Sequence, residues 1–341
     1  MLITACLIVR DEEEFLQACV ESLWPITHDI VIVDSGSADG TVSLAKSLGC
    51  RVYSAKWQDD FSAARNVALK YAQGDWIMMI DADERVRLNV SPDILRKLFE
   101  QTDNHAWTSV VRSFTGSSME EREVFYDERI VAFRRDPAVH FSRRVHEDVS
   151  ESLHARYGSS LRVGKLPIVV DHLGYLDEVM IRRNKPSRNI HLLTLERRDH
   201  GENPLTDYCL ATEWAQSGNW LSAATLFESV LDQAPDAAFW LQACYSLCLC
   251  HLELKRWTEC EKWCERGLAR TDETDQTMQR GFAELKLRSH LKDQESIAAL
   301  LLELSELDTP FMYEGWMREY AMCLSHISSL TGRRGHGIEA G

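Results

Sequence analysis

From the start of the chain to position 80, short apolar runs alternate with stretches of helical spacing. Ile3–Val9 is one such run, and Phe15, Cys19 and Leu23 then mark one face of a helix. Residues 30–33 (IVIV) form a second run that ends in the turn-rich DSGSADGT. A helix through Val42, Ala45 and Leu48 closes at Gly49, and Arg51–Ser54 reads as a third strand. Residues 62–72 read as a helix closed by Gly74, and residues 76–80 (WIMMI) as a fourth strand ending at DADE. Apolar strands joined by helices predict a parallel sheet covered on both faces. Right-handed crossovers put the strand C-termini along one edge, where ligands bind in such sheets. Both polar clusters, 34–41 and 81–84, fall at that edge.

Residues 105–175 are less regular, with apolar stretches at 107–111, 130–133 and 168–170 that read as strands completing the sheet. Residues 178–199 read as a basic helical connector that Pro186 must kink or restart. From about 204 onward only helical spacing remains. Leu210, Ala211, Trp214, Gly218, Trp220, Ala223, Phe227 and Pro235 fit the small, aromatic and proline positions of a tetratricopeptide repeat. In a second copy Trp257 echoes Trp220, Cys260 echoes Ala223 and Leu268 echoes Leu231; a third, 282–304, is weaker. The predicted division is an α/β domain over 1–200, helical repeats over 201–330 and a disordered tail over 331–341.

Composition excludes some classes. The chain has 341 residues, 45% hydrophobic and 27% charged, which is enough apolar material for sizeable cores. The net charge of −15 argues against nonspecific binding to nucleic acid or anionic membrane. No apolar run is long enough for a transmembrane helix, and MLITACLIVRDEEEF reads as a buried strand rather than a signal peptide. Ten cysteines without an export signal suggest reduced thiols and a cytoplasmic location. Six of them (Cys209, Cys244, Cys248, Cys250, Cys260 and Cys264) lie in the helical region. They form no CxxC pair, so they read as small core residues, with a zinc site the alternative.

The candidate chemistry starts at Asp81 and Asp83, which flank Ala82 directly after the fourth strand. In an extended stretch such positions point the same way, and two converging carboxylates call for a cation between them. Oxygen ligands of this kind suit Mg²⁺ or Mn²⁺. A solvated acidic turn is the bland alternative. Arg85 departs from a haloacid-dehalogenase phosphatase, which has Thr or Val there, and Arg85 and Val86 break an EF-hand. GSADGT is neither GxGxxG nor a P-loop, and HEDVSESLH lacks the second His of HExxH.

Four linked segments, CLIVRDEEEFLQACVESL, DIVIVDSGSADGT, DDFSAARNVAL and DWIMMIDADE, resemble the family 2 glycosyltransferases of GT-A fold. The later VHEDV, VDHLGY and helical repeats resemble the bacterial branch with C-terminal tetratricopeptide repeats, to which the sublancin-type peptide S-glycosyltransferase belongs. Arg10-Asp11-Glu12 departs from that branch's usual Lys-Asn-Glu. The resemblance implies an inverting transfer from a nucleotide-sugar, most simply a UDP-hexose. It implies that Asp34 and Ser35 meet the nucleoside, that Arg65 and Asn66 contact the nucleotide or its phosphates, and that Asp81, Ala82 and Asp83 form the DxD motif. It implies Mn²⁺ or Mg²⁺ on Asp81 and Asp83 with His172 as a third ligand, and Glu147 or Asp148 as general base, Glu147 favoured. Arg182 or Arg183 would assist the leaving diphosphate. For Asp34 a turn cap is the competing reading, for Arg65 and Asn66 an exposed helical face, and for Glu147 an ion pair with a nearby arginine.

The acceptor expected from this is a peptide or protein recruited by the repeats, which offer a groove for extended chains and equally suit a homodimer. A glycan or envelope polysaccharide acceptor is the alternative within the class. A non-catalytic repeat scaffold is the alternative outside it.

Overall fold

The computed structural model describes residues 1–116, 123–174, 176, 185–272 and 275–290. The predicted tail, Arg182, Arg183 and the end of the third repeat lie outside them. The chain divides into two compact units between Glu196 and Arg197.

The first unit is built on an eight-stranded sheet. Strands β1 (Ile3–Val9), β2 (Asp29–Asp34), β3 (Arg51–Ser54) and β4 (Trp76–Met79) are parallel, in the order β3-β2-β1-β4. Between them run α1 (Glu13–Leu23), α2 (Thr41–Ser47) and α3 (Phe61–Tyr71). The apolar runs are continuous because both faces of these strands are covered. Ile3, Ala5 and Leu7 join Ile30, Ile32, Trp76 and Met78 under Leu16, Val20 and Leu23 of α1. The intervening Cys6, Val31, Val33 and Ile77 face Ala68 of α3. Each fully buried Leu or Ile in these layers contributes about 2 kcal/mol.

The sheet then changes direction. β5 (Glu84–Leu88), β6 (Ala106–Thr115), β7 (Glu123–Arg134) and β8 (Val163–His172) complete the order β4-β7-β6-β8-β5. β7 is antiparallel to both β4 and β6, while β8 is parallel to β6 and antiparallel to β5. This is the expected GT-A architecture, a parallel half extended by mixed strands. α4 (Pro92–Glu100) starts at Ser91, whose hydroxyl accepts from Ile94 N, with Pro92 in the first turn, and α5 (Ser150–Tyr157) follows β7.

Helix α6 (Lys185–His200) carries Pro186 in its first turn, where the missing N–H has no intrahelical partner to lose. In the second unit α7 (Pro204–Gln216), α8 (Trp220–Gln233), α9 (Trp240–Glu253), α10 (Trp257–Leu268) and α11 (Gln276–His290) each pack on the next, and α7 and α9 also touch the next but one. Trp220 and Trp257 open α8 and α10, and Ala223 and Cys260 are fully buried. Cys244, Cys248, Cys250 and Cys264 are buried in the same way, as core residues would be. Among the described residues no helix is long and apolar enough to cross a membrane.

Candidate active site at the edge of the parallel strands

The register sets the site. Val9 pairs with Asp34 and Asp34 with Ser54, so β1, β2 and β3 end level. β4 ends beside them and leads into a turn at 81–84. Glu84 N donates to Asp81 O at 3.0 Å, and Asp81 N donates back to Glu84 Oε2 at 2.9 Å. Arg85 donates to the carbonyls of Ala82 and Glu84, and the Cys19 thiol donates to Asp81 O. This turn corrects the extended geometry assumed from sequence: its residues do not alternate as in a strand, and the two carboxylates take different partners. Asp81 Oδ1 lies 2.9 Å from Arg65, whereas Asp83 Oδ1 lies 3.6 Å from His172 Nε2.

His172 reaches Asp83 because β5 and β8 pair Glu84 with His172. Asp171 beside it is held by Arg87 and, at 2.6 Å, by Arg112. Ser113 Oγ lies 3.4 Å from His172 Nδ1. Leu173 N donates to Asp83 O. Gly174 follows, and a Cβ there would come within 2.3 Å of Asp83 Oδ2, 2.6 Å of His172 Nε2 and 2.8 Å of Lys185 Nζ. Three polar side chains thus crowd this position, and a side chain there would displace at least one of them. Burial works to lower the His172 pKa, but Asp83 outweighs it and the pKa is raised. Asp83 and His172 offer one oxygen and one nitrogen donor; the carboxylate suits Mn²⁺ or Mg²⁺, and phosphate oxygens would supply further ligands. Among the described residues no group of three His, Cys, Asp or Glu side chains is gathered to hold a metal.

At β2, Asp34 is 6% exposed and accepts from Gly36 N and Ser37 N, both at 3.1 Å. It caps its own turn. Ser35 bonds Val9 O through both its amide and its hydroxyl. The rest of this loop is tied to the start of α1: Ala38 N donates to Asp11 Oδ1 and Gly40 N to Glu13 Oε2.

The third cluster lies across α3. Arg65, with a side chain 9% exposed, bonds Glu147 through Nε and Nη2, each at 2.7 Å. Burial disfavours its charge, but Asp81 and Glu147 outweigh burial and raise its pKa. Asp81 is held below the usual carboxylate range: burial works against ionisation, and Arg65 and then Arg129 overcome it. Glu84 is fully buried, and burial pushes its pKa up although Arg129 bonds both its oxygens. A cleft of about 400 Å³ is lined by Arg65, Arg129, Glu128, Glu147, Asp148 and Phe141, among others.

Two candidates take structural tasks. Asn66 accepts from Phe141 N at 2.8 Å and donates to Phe141 O at 2.9 Å, so its carboxamide clamps the backbone rather than lying on an exposed helical face. Asp148 Oδ1 accepts from Val149 N and from the amide and hydroxyl of Ser150 at the start of α5. The segment is strapped to α3 by Phe61 N donating to Arg144 O. Arg143 and His146 there have φ of 78° and 53°, left-handed conformations that a packed surrounding must hold. Sequence reasoning missed the Glu84–Arg129 pair; a signal for it was an arginine placed directly before the apolar run of β7.

Residues 4–151 match the family described as Glycosyl transferase family 2. The chain therefore carries a family 2 glycosyltransferase domain. A TPR repeat-containing protein of Synechococcus elongatus is 32% identical over 251 residues, 72% of this chain and 61% of that protein. The SPbeta prophage-derived glycosyltransferase SunS of Bacillus subtilis is 28% identical over 207 residues, 59% of this chain and 46% of SunS. The chain thus spans 61% and 46% of the length of these curated relatives. Among solved structures, S. aureus TarS residues 1–349 superposes with a TM-score of 0.39 at 12% identity, over 86% of this chain and 92% of that one.

Proposed function

We propose that this chain is an inverting, metal-dependent glycosyltransferase that moves a sugar from a UDP-sugar to a peptide or protein side chain. The observation that carries the reading is that Arg65 joins Asp81, in the same turn as the Asp83–His172 pair, to Glu147, which lines a cleft. Asp83 and His172 would hold Mn²⁺ or Mg²⁺, whose charge would stabilise the leaving diphosphate. The Asp34–Ser35 loop receives the nucleoside, and Lys185, close to the same pair, adds positive charge toward the phosphates.

Glu147 accepts the proton of the attacking acceptor group on the face opposite the diphosphate. Asp148 is the weaker candidate, because one of its oxygens already serves the start of α5. The acceptor class rests on the resemblance to the repeat-bearing peptide-modifying branch and on the helical second unit.

The test is a screen of UDP- and GDP-sugars with Mn²⁺ and Mg²⁺, read as nucleotide released to water and then with unstructured peptides added. Release of UDP that is metal-dependent and accelerated by peptide is the expected result. Acceleration by a glycan instead would replace the acceptor. No release, together with no thermal shift on any nucleoside diphosphate, would leave the domain a non-catalytic scaffold.

A further inference from the structure

Arg65 is placed unlike a residue that reads a nucleotide. Its guanidinium is buried between two carboxylates from distant segments, Asp81 in the turn after β4 and Glu147 in the strapped segment before α5. The Phe141 ring lies under it, 5.5 Å from ring centroid to guanidinium carbon. Phe141 is in turn fixed by Asn66, the next residue of α3. Among the described contacts Arg65 is the one donor to the Glu147 carboxylate, and it makes two bonds there. Both bonds converge on Oε1, which fixes the place of that oxygen.

We infer that Arg65 is a positioning residue, which aims Glu147 into the cleft and uses Asp81 as the counter-anchor on its other side. The inference rests on Glu147 being the general base. A residue that acts only through the base changes turnover and leaves donor binding alone, and its effect vanishes when the base is already gone.

The experiment measures UDP release from the best UDP-sugar of the screen in Mn²⁺, for R65M, R65K, E147Q and the double variant R65M/E147Q. R65M should lower kcat about 100-fold, the scale of a misdirected catalytic group, with KM for the UDP-sugar within about twofold. R65K should recover about tenfold of that loss, since an ammonium keeps the charge beside Glu147 but not the paired Nε and Nη2 bonds to Oε1. In the E147Q background R65M should change kcat by less than about twofold. A raised KM at unchanged kcat would overturn the inference, because Arg65 would then bind donor. So would an R65M loss of the same size in the E147Q background. Should R65M fail to fold, as judged by its melting curve, R65K decides by the same split between KM and kcat: a fall in kcat at constant KM supports positioning, and full turnover overturns it. Silence of the wild type with every sugar nucleotide is a different failure, that of the functional reading itself, and the inference falls with it.

Discussion

His172 Nε2 lies 3.6 Å from Asp83 Oδ1, and the two come together because β8 runs antiparallel to β5 immediately beyond the DxD turn. If this pair holds the divalent ion, Asp83→Ala should abolish the Mn²⁺-dependent rise in Tm that UDP gives by mass action, while His172→Ala should weaken it by about tenfold in apparent Kd. Thermal shift with UDP, with and without Mn²⁺, measures both. An Asp83→Ala protein with the wild-type response removes the pair from the donor site.

Gly174 gives a sharper test of the same cluster. The atoms that an added Cβ would strike are the ends of flexible side chains, which can move aside. Gly174→Ala should therefore lower Tm by only a few degrees, yet reduce UDP affinity by about tenfold or more, because Asp83, His172 and Lys185 cannot all keep their places. Titration of UDP in Mn²⁺ against the melting curve separates the two effects.

Asn66 holds Phe141 by two hydrogen bonds. Asn66→Ala removes both and leaves the backbone groups of Phe141 without those partners, a loss of about 1–3 kcal/mol by urea denaturation. Affinity for UDP should stay within about twofold of wild type. A large loss of UDP binding at unchanged stability would return Asn66 to the nucleotide.

Asp136 accepts from Ala138 N at 2.9 Å and pairs with Arg156 at 2.7 Å. The Ala138 amide, ahead of Arg156 and against the opposing effect of burial, holds this carboxyl below its ordinary value of 3.8. A depressed acid stabilises the fold above its unfolded pKa, and that contribution is lost as pH falls through the lower folded value. The Tm difference between wild type and Asp136→Asn should be level above about pH 5 and shrink below pH 3.8. A difference that stays constant down to pH 2.5 would show that the carboxylate charge is not what stabilises this corner.

The parallel half of the sheet was legible because its strands are buried on both faces and therefore appear as unbroken apolar runs ending in polar clusters. β5 was not, because Glu84-Arg-Val-Arg-Leu88 alternates charge with apolar residues over only five positions and reads as a continuation of the acidic turn. The site residues at strand ends could be picked out for the same reason as the strands. Their partners could not. Arg65 and Glu147 are 82 positions apart, and no local pattern tells a helix which loop will close over it. The sequence likewise took residues 81–83 as extended, so that i and i+2 align; the bond from Glu84 N to Asp81 O turns the chain there instead.

Helix α3 carries Arg65 and Asn66 side by side, one directed to the carboxylates and the other to the backbone of Phe141. A single residue inserted upstream within this helix would rotate both by about 100°, swinging each away from its target at once. Length variation among homologues should therefore be confined to the stretches outside Phe61–Tyr71, and the helix acts as the gauge that keeps two distant segments of the chain in phase.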